Sequence, residues 1–321
     1  MASTTKIMTA LVAIENSNAA DTVAIDRRAV GVEGSSIYLT EGELLTMENL
    51  LYALLLASAN DAAAAIAIEI GGSIEEFAAM MNEKARELGL KNTHFENPHG
   101  LDSETHYTTA IDLAKLTAAA LKNETFAKIV STYKTTIPMN GGTRVLINHN
   151  KLLRSYEGAI GVKTGFTRRS GRCLVSAAKR DGLTLIAVTI NAPNDWDDHK
   201  TMLDGGFAAY HRVNAMEIGE YVISLPVVGG KEQTVLCTNS SSISAIMRSD
   251  ISADECEIIA ELPRFVYASV EKGEVVGKLV CRVNGEIIGE TDILAEYSVP
   301  AVEYKKSVWQ KILDFFSGLF G

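Results

Sequence analysis

Ser3-Thr4-Thr5-Lys6 opens the first helical pattern of the chain, in which Ile7, Met8, Leu11, Val12 and Ile14 recur at helical spacing as far as residue 16. On a helix, residues i and i+3 share a face, so the Ser3 hydroxyl and the Lys6 amine can hydrogen-bond. A second S-x-x-K match, Ser131-Thr-Tyr-Lys134, lies in a stretch that alternates like a strand, where i and i+3 point to opposite faces. Two further motifs follow in order. Ser58-Ala59-Asn60 fits S-x-N at the end of an apolar helical run, where a turn would expose Ser58 and Asn60. Lys163-Thr164-Gly165 lies on a strand pattern and is followed by the second strand of a hairpin. Each motif alone is weak; their order and contexts together are specific.

The residue types dictate a chemistry. A serine hydroxyl is a poor nucleophile until a base takes its proton. Lys6 can be that base only when neutral, and burial or a second cation lowers a lysine's pKa. With Lys163 about 4 Å away, repulsion at an effective dielectric of about 20 is ~4 kcal/mol, roughly three pKa units, which brings the amine from about 10.4 to about 7. The second cation also attracts a substrate carboxylate, and Thr164 and Thr167 add hydroxyl donors for it. A terminal carboxylate beside an activated serine describes a carboxypeptidase better than an endopeptidase.

Outward from these motifs, Thr46 to Glu69 contains a long apolar helical stretch and Ile74 to Glu87 another, ended by Gly89. Residues 91–108 are loop-like. Thr109-Ala-Ile-Asp112 resembles a capping box that opens a helix through Lys122. Strand patterns stand at 132–138, 144–149, 159–163, 172–179 and 183–190, with a helix at about 197–210. After Arg212 the texture changes to short alternating segments, with a hairpin signal at Asn284-Gly285. Residues 1–212 therefore read as an α/β (α+β) catalytic domain with an antiparallel sheet flanked by helices, and 213–303 as a small all-β domain. In 304–321, Val308, Trp309, Ile312, Phe315, Phe316, Leu319 and Phe320 form an apolar stripe, with Lys305, Lys306 and Lys311 mainly off it. That pattern predicts an amphipathic helix lying on a membrane surface through 306–320.

The 321 residues carry 30 Lys+Arg against 40 Asp+Glu, a net charge of −10, which argues against nucleic acid as the partner. At 47% hydrophobic and 22% charged, the chain is an ordinary globular sequence. The four cysteines form no C-x-x-C pair and read as free thiols rather than a zinc site. His94, His99 and His106 share a loop, but their spacing suits no zinc helix, and they read as surface or loop histidines. The acids of Asn194-Asp-Trp-Asp-Asp198 read as a helix N-terminus rather than a calcium loop. No cofactor or metal is expected, no secretory signal pattern opens the chain, and no apolar run reaches a membrane span.

The three motifs in this order are those of β-lactamases and penicillin-binding proteins. Met1-Ala-Ser-Thr-Thr-Lys-Ile-Met-Thr-Ala, Asn97-Pro-His-Gly-Leu-Asp102, His106-Tyr-Thr-Thr-Ala, Asn148-His-Asn-Lys-Leu-Leu153 and Lys163-Thr-Gly-Phe-Thr167 extend the match. Over nearly its whole length the chain resembles the low-molecular-mass penicillin-binding proteins, the serine-type D-alanyl-D-alanine carboxypeptidase family. The resemblance implies a penicillin-binding/β-lactamase-like catalytic domain acting on peptidoglycan stem peptides that end in D-Ala-D-Ala, acylated by β-lactam antibiotics, at the extracytoplasmic face of the bacterial cell membrane. By resemblance, Ser3 would form the acyl-enzyme, Ser58 would relay a proton to the leaving D-alanine, and Asn60 would hold the substrate amide. The N–H groups of Ser3 and Phe166 would form the oxyanion hole, Gly165 would admit the substrate backbone, and His99 would border the site. A class A β-lactamase is the alternative enzyme, with Glu96 its candidate deacylating residue; an inactive, membrane-associated wall-binding protein is the alternative outside enzymes. One departure stands out: in the family the S-x-x-K serine follows a signal peptide and a segment that supplies strands of the catalytic sheet, whereas here it is residue 3. The expectation is a truncated chain whose sheet lacks N-terminal strands, whose first turn frays, and which binds penicillin weakly as written.

Overall fold

The structure is a computed structural model that describes residues 1–303 and Trp309. A 3-10 turn over Ala2–Thr5 runs into helix α1 (Lys6–Asn16), whose Ile7, Met8, Leu11 and Val12 are buried. Strands β1 (Thr22–Ala24) and β2 (Leu44–Thr46) pair antiparallel across the loop between them. Helices α2 (Met47–Leu55), α3 (Asn60–Gly71) and α4 (Ile74–Glu87) follow. The apolar helical stretch within Thr46 to Glu69 is two helices, divided at the turn expected around Ser58. No Gly or Pro marks the break at residues 56–59. Ser58 itself adopts φ +60, a left-handed backbone that costs a non-glycine residue roughly 1–2 kcal/mol. Backbone bonds on either side hold it: Ala59 N–H donates to Ala53 O at 3.1 Å and Asn60 N–H to Ser35 O at 2.7 Å.

Helix α3 is buried from Asn60 to Ile68. A helix apolar all round belongs in an interior, and its alanines let α1, α2 and α4 pack against it. Its first-turn carboxylate, Asp61, accepts from the Ser36 hydroxyl at 2.6 Å and Leu39 N–H at 3.0 Å. Helix α4 carries a Ser73 cap on Glu76 N–H, acids in its first turn and Lys84 and Arg86 in its last, all matched to the helix dipole. Helix α5 (Ala110–Ala120) opens on Thr109, as its capping pattern predicts. Helix α6 (Glu124–Ser131), capped by Asn123, is not anticipated from the sequence pattern. It places Ser131 at a helix end and Lys134 on the next strand, so the second S-x-x-K match is divided between two elements.

Strands β3 (Lys134–Met139) and β4 (Gly142–Ile147) form a hairpin. Arg144 of β4 forms a buried ion pair with Glu43 and donates to Ile37 O at 2.9 Å, so Arg144 and Asp61 together anchor the loop over 33–43. After the short α7 (Leu152–Ser155), strands β5 (Ala159–Thr167), β6 (Gly171–Arg180) and β7 (Leu183–Thr189) make an antiparallel sheet in that order. Among the described residues β5 and β7 are its edges. Val162, Val175 and Ala177 join the helical core on one face, while Ala178 and Ala187 pack with Leu203 of α8 (Asp195–Ala209) on the other. The sheet is thus flanked by helices, the α+β arrangement.

The chain divides into two compact units at Ala209/Tyr210. In the second, strands β8 (Tyr210–Met216), β9 (Val222–Val228), β10 (Thr234–Asn239), β11 (Ile243–Arg248), β12 (Glu257–Glu261), β13 (Val266–Tyr267), β14 (Val275–Val283) and β15 (Glu286–Ala295) follow. They form a six-stranded sheet, β12-β14-β15-β10-β9-β13, and a β8–β11 pair. Leu225, Val235, Leu279 and Ile293 are buried at its core. Asn284 and Gly285 both have positive φ, the backbone a two-residue hairpin turn needs between right-twisted strands. The helix expected over 304–321 lies, apart from an exposed Trp309, outside the described residues.

Candidate active site

Three separate elements deliver the motifs to one place. The turn leading into α1 presents Ser3 and Lys6, with Lys6 Nζ 3.0 Å from Ser3 Oγ. The same Nζ donates to Asn60 Oδ1 at 2.6 Å and to the His99 carbonyl at 2.7 Å. The break between α2 and α3 presents Ser58, whose Oγ accepts from Lys163 Nζ at 3.0 Å. Strand β5 supplies Lys163, which also donates to Thr164 O at 2.9 Å.

Both lysines are buried, at 0% and 1% exposure. Burial holds the Lys6 amine well below its ordinary pKa, the charge of Lys163 lowers it further, and Asp61 opposes both. Burial alone brings Lys163 down to about 7. Desolvation, rather than the second cation, leads in lowering Lys6, because neither amine reaches water.

Two glycines make the close packing possible. A Cβ on Gly165 would stand 3.1 Å from Ser3 N and 3.2 Å from Thr4 N, so β5 and the nucleophile turn meet backbone to backbone. Gly100 has φ +85, and a Cβ there would collide with the Ala2 carbonyl. The loop over 91–108 therefore leans directly on the turn that carries Ser3. Its His99 is half-buried, with Nδ1 accepting from Leu101 N–H at 3.3 Å. Burial, then the charges of Lys6 and His106, lowers that imidazole to about 3.

A cavity of about 330 Å³ lies over these residues, lined by Ser3, Ser58, Thr164, Gly165 and Phe166 together with Ser35, His149, Lys151, Arg172 and Trp196. Arg172 is the residue the sequence argument missed. Its guanidinium pairs with buried Asp195 at 2.8 Å and lies 5.9 Å from the Trp196 ring. The β5–β6 register sets Arg172 directly opposite Phe166; counting across the hairpin would have found it, had the turn been known. Asp195, read as a helix-terminus acid, holds that guanidinium.

Several expected roles change. The Thr167 hydroxyl donates to Asp102 Oδ1 at 3.0 Å and accepts from Ser170 N–H at 2.9 Å, so its proton is engaged within the protein. Asn60 is 4% exposed, its Oδ1 on Lys6 and its Nδ2 on Glu33 O, so it tethers the base. Glu96, the β-lactamase candidate, is exposed, accepts from the Ser103 hydroxyl and does not line the cavity. His106 is a loop histidine, but a buried one: it is 9% exposed and bonded to Thr5. Among the described residues no group of His, Cys, Asp and Glu is arranged to hold a metal, and no helix is long and apolar enough to cross a membrane.

The chain is similar to known proteins in both sequence and fold. A family profile described as D-alanyl-D-alanine carboxypeptidase matches residues 1–194, and one described as the C-terminal domain of penicillin-binding protein 5 matches residues 210–301. The D-alanyl-D-alanine carboxypeptidase DacF of Bacillus subtilis is 35% identical over 304 residues, covering 92% of this chain and 78% of that protein. The D-alanyl-D-alanine carboxypeptidase of Streptomyces sp. strain K15 is 37% identical over 227 residues, 64% of this chain and 78% of that one. The crystal structure of penicillin-binding protein 5 from Haemophilus influenzae superposes with a TM-score of 0.70 at 28% identity, covering 93% of this chain and 90% of that one. With its serine, lysine and K-T-G elements assembled and the profile spanning its first unit, the chain belongs to the D-alanyl-D-alanine carboxypeptidase family.

Proposed function

We propose that this chain is a serine D-alanyl-D-alanine carboxypeptidase, which removes the terminal D-alanine of peptidoglycan stem peptides through an acyl-enzyme on Ser3. The observation that carries this is the set of contacts around Lys6. A neutral amine has two hydrogens and one lone pair. Asn60 Oδ1 and His99 O can only accept, so they take both hydrogens, and the lone pair is left for the Ser3 hydroxyl at 3.0 Å.

Ser3 Oγ attacks the carbonyl carbon of the penultimate D-alanine while its proton passes to Lys6. The oxyanion develops against the N–H groups of Ser3 and Phe166, each such donor worth a few kcal/mol, about 3, of transition-state stabilisation. Ser58, bonded to Lys163, relays to the leaving nitrogen the proton that Lys6 took from Ser3 as the C–N bond breaks, so Lys6 and Ser58 both return to their starting protonation. D-Alanine departs, and water later cleaves the ester and restores the Ser3 hydroxyl. A β-lactam carbonyl meets the same attack, but its ring nitrogen stays tethered to the acyl group. The Thr164 hydroxyl and the Arg172 guanidinium, both lining the cavity, receive the terminal carboxylate.

The substrate places the enzyme on the extracytoplasmic face of the bacterial membrane. The apolar stripe and lysines of 306–320 support anchoring there, although those residues, Trp309 apart, lie outside the described ones. The test of the catalytic reading is release of one D-alanine from a diacyl peptide ending in D-Ala-D-Ala, with intact-mass detection of a penicillin adduct. Ser3→Ala should abolish both; an adduct that survives the substitution would remove Ser3 as the nucleophile.

A further inference from the structure

We propose that His106 is a positioning residue for acylation: one neutral imidazole ties the turn that carries Ser3 to the loop that holds Lys6. The inference rests on Ser3 being the nucleophile and concerns what sets its distance from the base. His106 Nε2 lies 2.7 Å from Oγ1 of Thr5, which is fully buried between Ser3 and Lys6 in sequence. His106 Nδ1 accepts from Glu96 N–H at 3.0 Å. A backbone N–H can only donate, so Nδ1 bears the lone pair and the proton sits on Nε2, which donates to Thr5. The Phe95 ring meets the imidazole edge-on at 5.9 Å.

The surroundings turn this single bond into a clamp. His94 and Tyr107 exchange backbone hydrogen bonds at 2.9 and 3.1 Å, closing the loop just outside His106. Between them the loop grips the beginning of α1 at successive points: Pro98 O accepts from the Thr9 hydroxyl at 2.6 Å, and His99 O accepts from Lys6. Gly100 rests on the Ala2 carbonyl. The His106–Thr5 bond can be removed without altering Ser3, Lys6 or the backbone. Burial keeps His106 neutral, lowering its pKa to about 4, so the ring retains the one-donor, one-acceptor form that the two partners require.

A shift of Thr5 moves the residues on either side of it, and with them the 3.0 Å approach of Lys6 to Ser3. The full chain and its Thr5→Val, His106→Leu, double and His106→Gln variants should be compared by single-turnover acylation with a fluorescent penicillin. The dependence on penicillin concentration separates affinity from the acylation rate constant. Thr5→Val and His106→Leu should each slow acylation by about 10- to 100-fold, the range expected for a lost buried hydrogen bond that aligns reacting groups. Penicillin affinity should stay within about threefold, and the double variant should be no slower than the slower single one, because one bond is lost in each case. His106→Gln, which keeps an acceptor beside a donor, should recover to within about fivefold of the parent.

Losses that multiply in the double variant overturn the proposal. So does a loss confined to the fraction of molecules labelled, with an unchanged rate constant, since that describes folding alone. If His106→Leu does not fold, Thr5→Val decides: acylation at the parental rate overturns the proposal. A parent chain that takes no label on Ser3 defeats the proposed function, and this inference with it, whereas a labelled parent beside an unaffected Thr5→Val defeats the role of His106 only.

Discussion

Lys6 touches Ser3 Oγ and Lys163 touches Ser58 Oγ, so the two buried amines occupy different steps of the chemistry. Lys163 is committed to Ser58 and to Thr164 O, and it is shielded from water. A charged substrate carboxylate needs a cation that reaches the cavity, and Arg172 does. Its partner Asp195 fixes the guanidinium without covering it, leaving the Arg172 side chain 42% exposed. Arg172→Gln should raise KM for a diacyl peptide ending in free D-Ala-D-Ala by about 10- to 100-fold, as expected for losing a charge-assisted hydrogen bond. The C-terminally amidated peptide, already poor, should be nearly indifferent to the substitution. Steady-state kinetics on both peptides checks this; an equal loss on the two would mean that Arg172 does not recognise the carboxylate.

At the scale of elements, local signals and packing divide the work. The caps of α4, α5 and α6 are set by Ser73, Thr109 and Asn123, each accepting from a backbone N–H three residues on, which is a property of neighbours. The break between α2 and α3 has no side-chain cap, Gly or Pro, only the S-x-N motif to mark it. It exists because Ser35 O, Asp61 and Arg144 hold the loop over 33–43 against the start of α3. The element at 306–320 is judged by its face pattern alone, with Lys306 and Lys311 against Asp314 favouring an anionic surface. A peptide of residues 306–320 should become helical on vesicles of anionic lipid, with blue-shifted Trp309 emission. Deletion of these residues should leave penicillin labelling intact. Unchanged emission and no co-sedimentation with vesicles would argue for a role other than membrane anchoring.

The whole molecule carries a cost of burying its lysines, and that cost depends on pH. Lys163 has a folded pKa of about 7 against 10.5 for the free amine. Between those values the unfolded chain binds a proton that the folded chain does not, so stability rises with pH from about 7 to about 10.5. Below pH 7 both states are protonated and the full penalty applies. Lys163→Met should therefore stabilise the fold near pH 7 by on the order of 1–3 kcal/mol, seen as a higher Tm, while abolishing turnover. The gain should shrink toward pH 10. Thermal melts of both proteins from pH 7 to 10 check the sign; parallel curves would show that Lys163 is charged in the fold. Residues 3–6, 58–60 and 163–165, the Thr109 cap and the turn at Asn284-Gly285 were legible in the sequence, because each rests on interactions within a few residues along the chain. The order and contexts of the three motifs, with the longer blocks around them, pointed to the family. Lys6 meets Asn60 across 54 residues and His99 across 93, and Thr167 meets Asp102 across 65. Those partners, the Arg172–Asp195 pair and the His106–Thr5 bond were decided only when α3, β5 and the loop over 91–108 packed around the nucleophile turn. Composition and periodicity specify which face of an element is buried, but the side chain it meets there depends on register and close packing between distant segments.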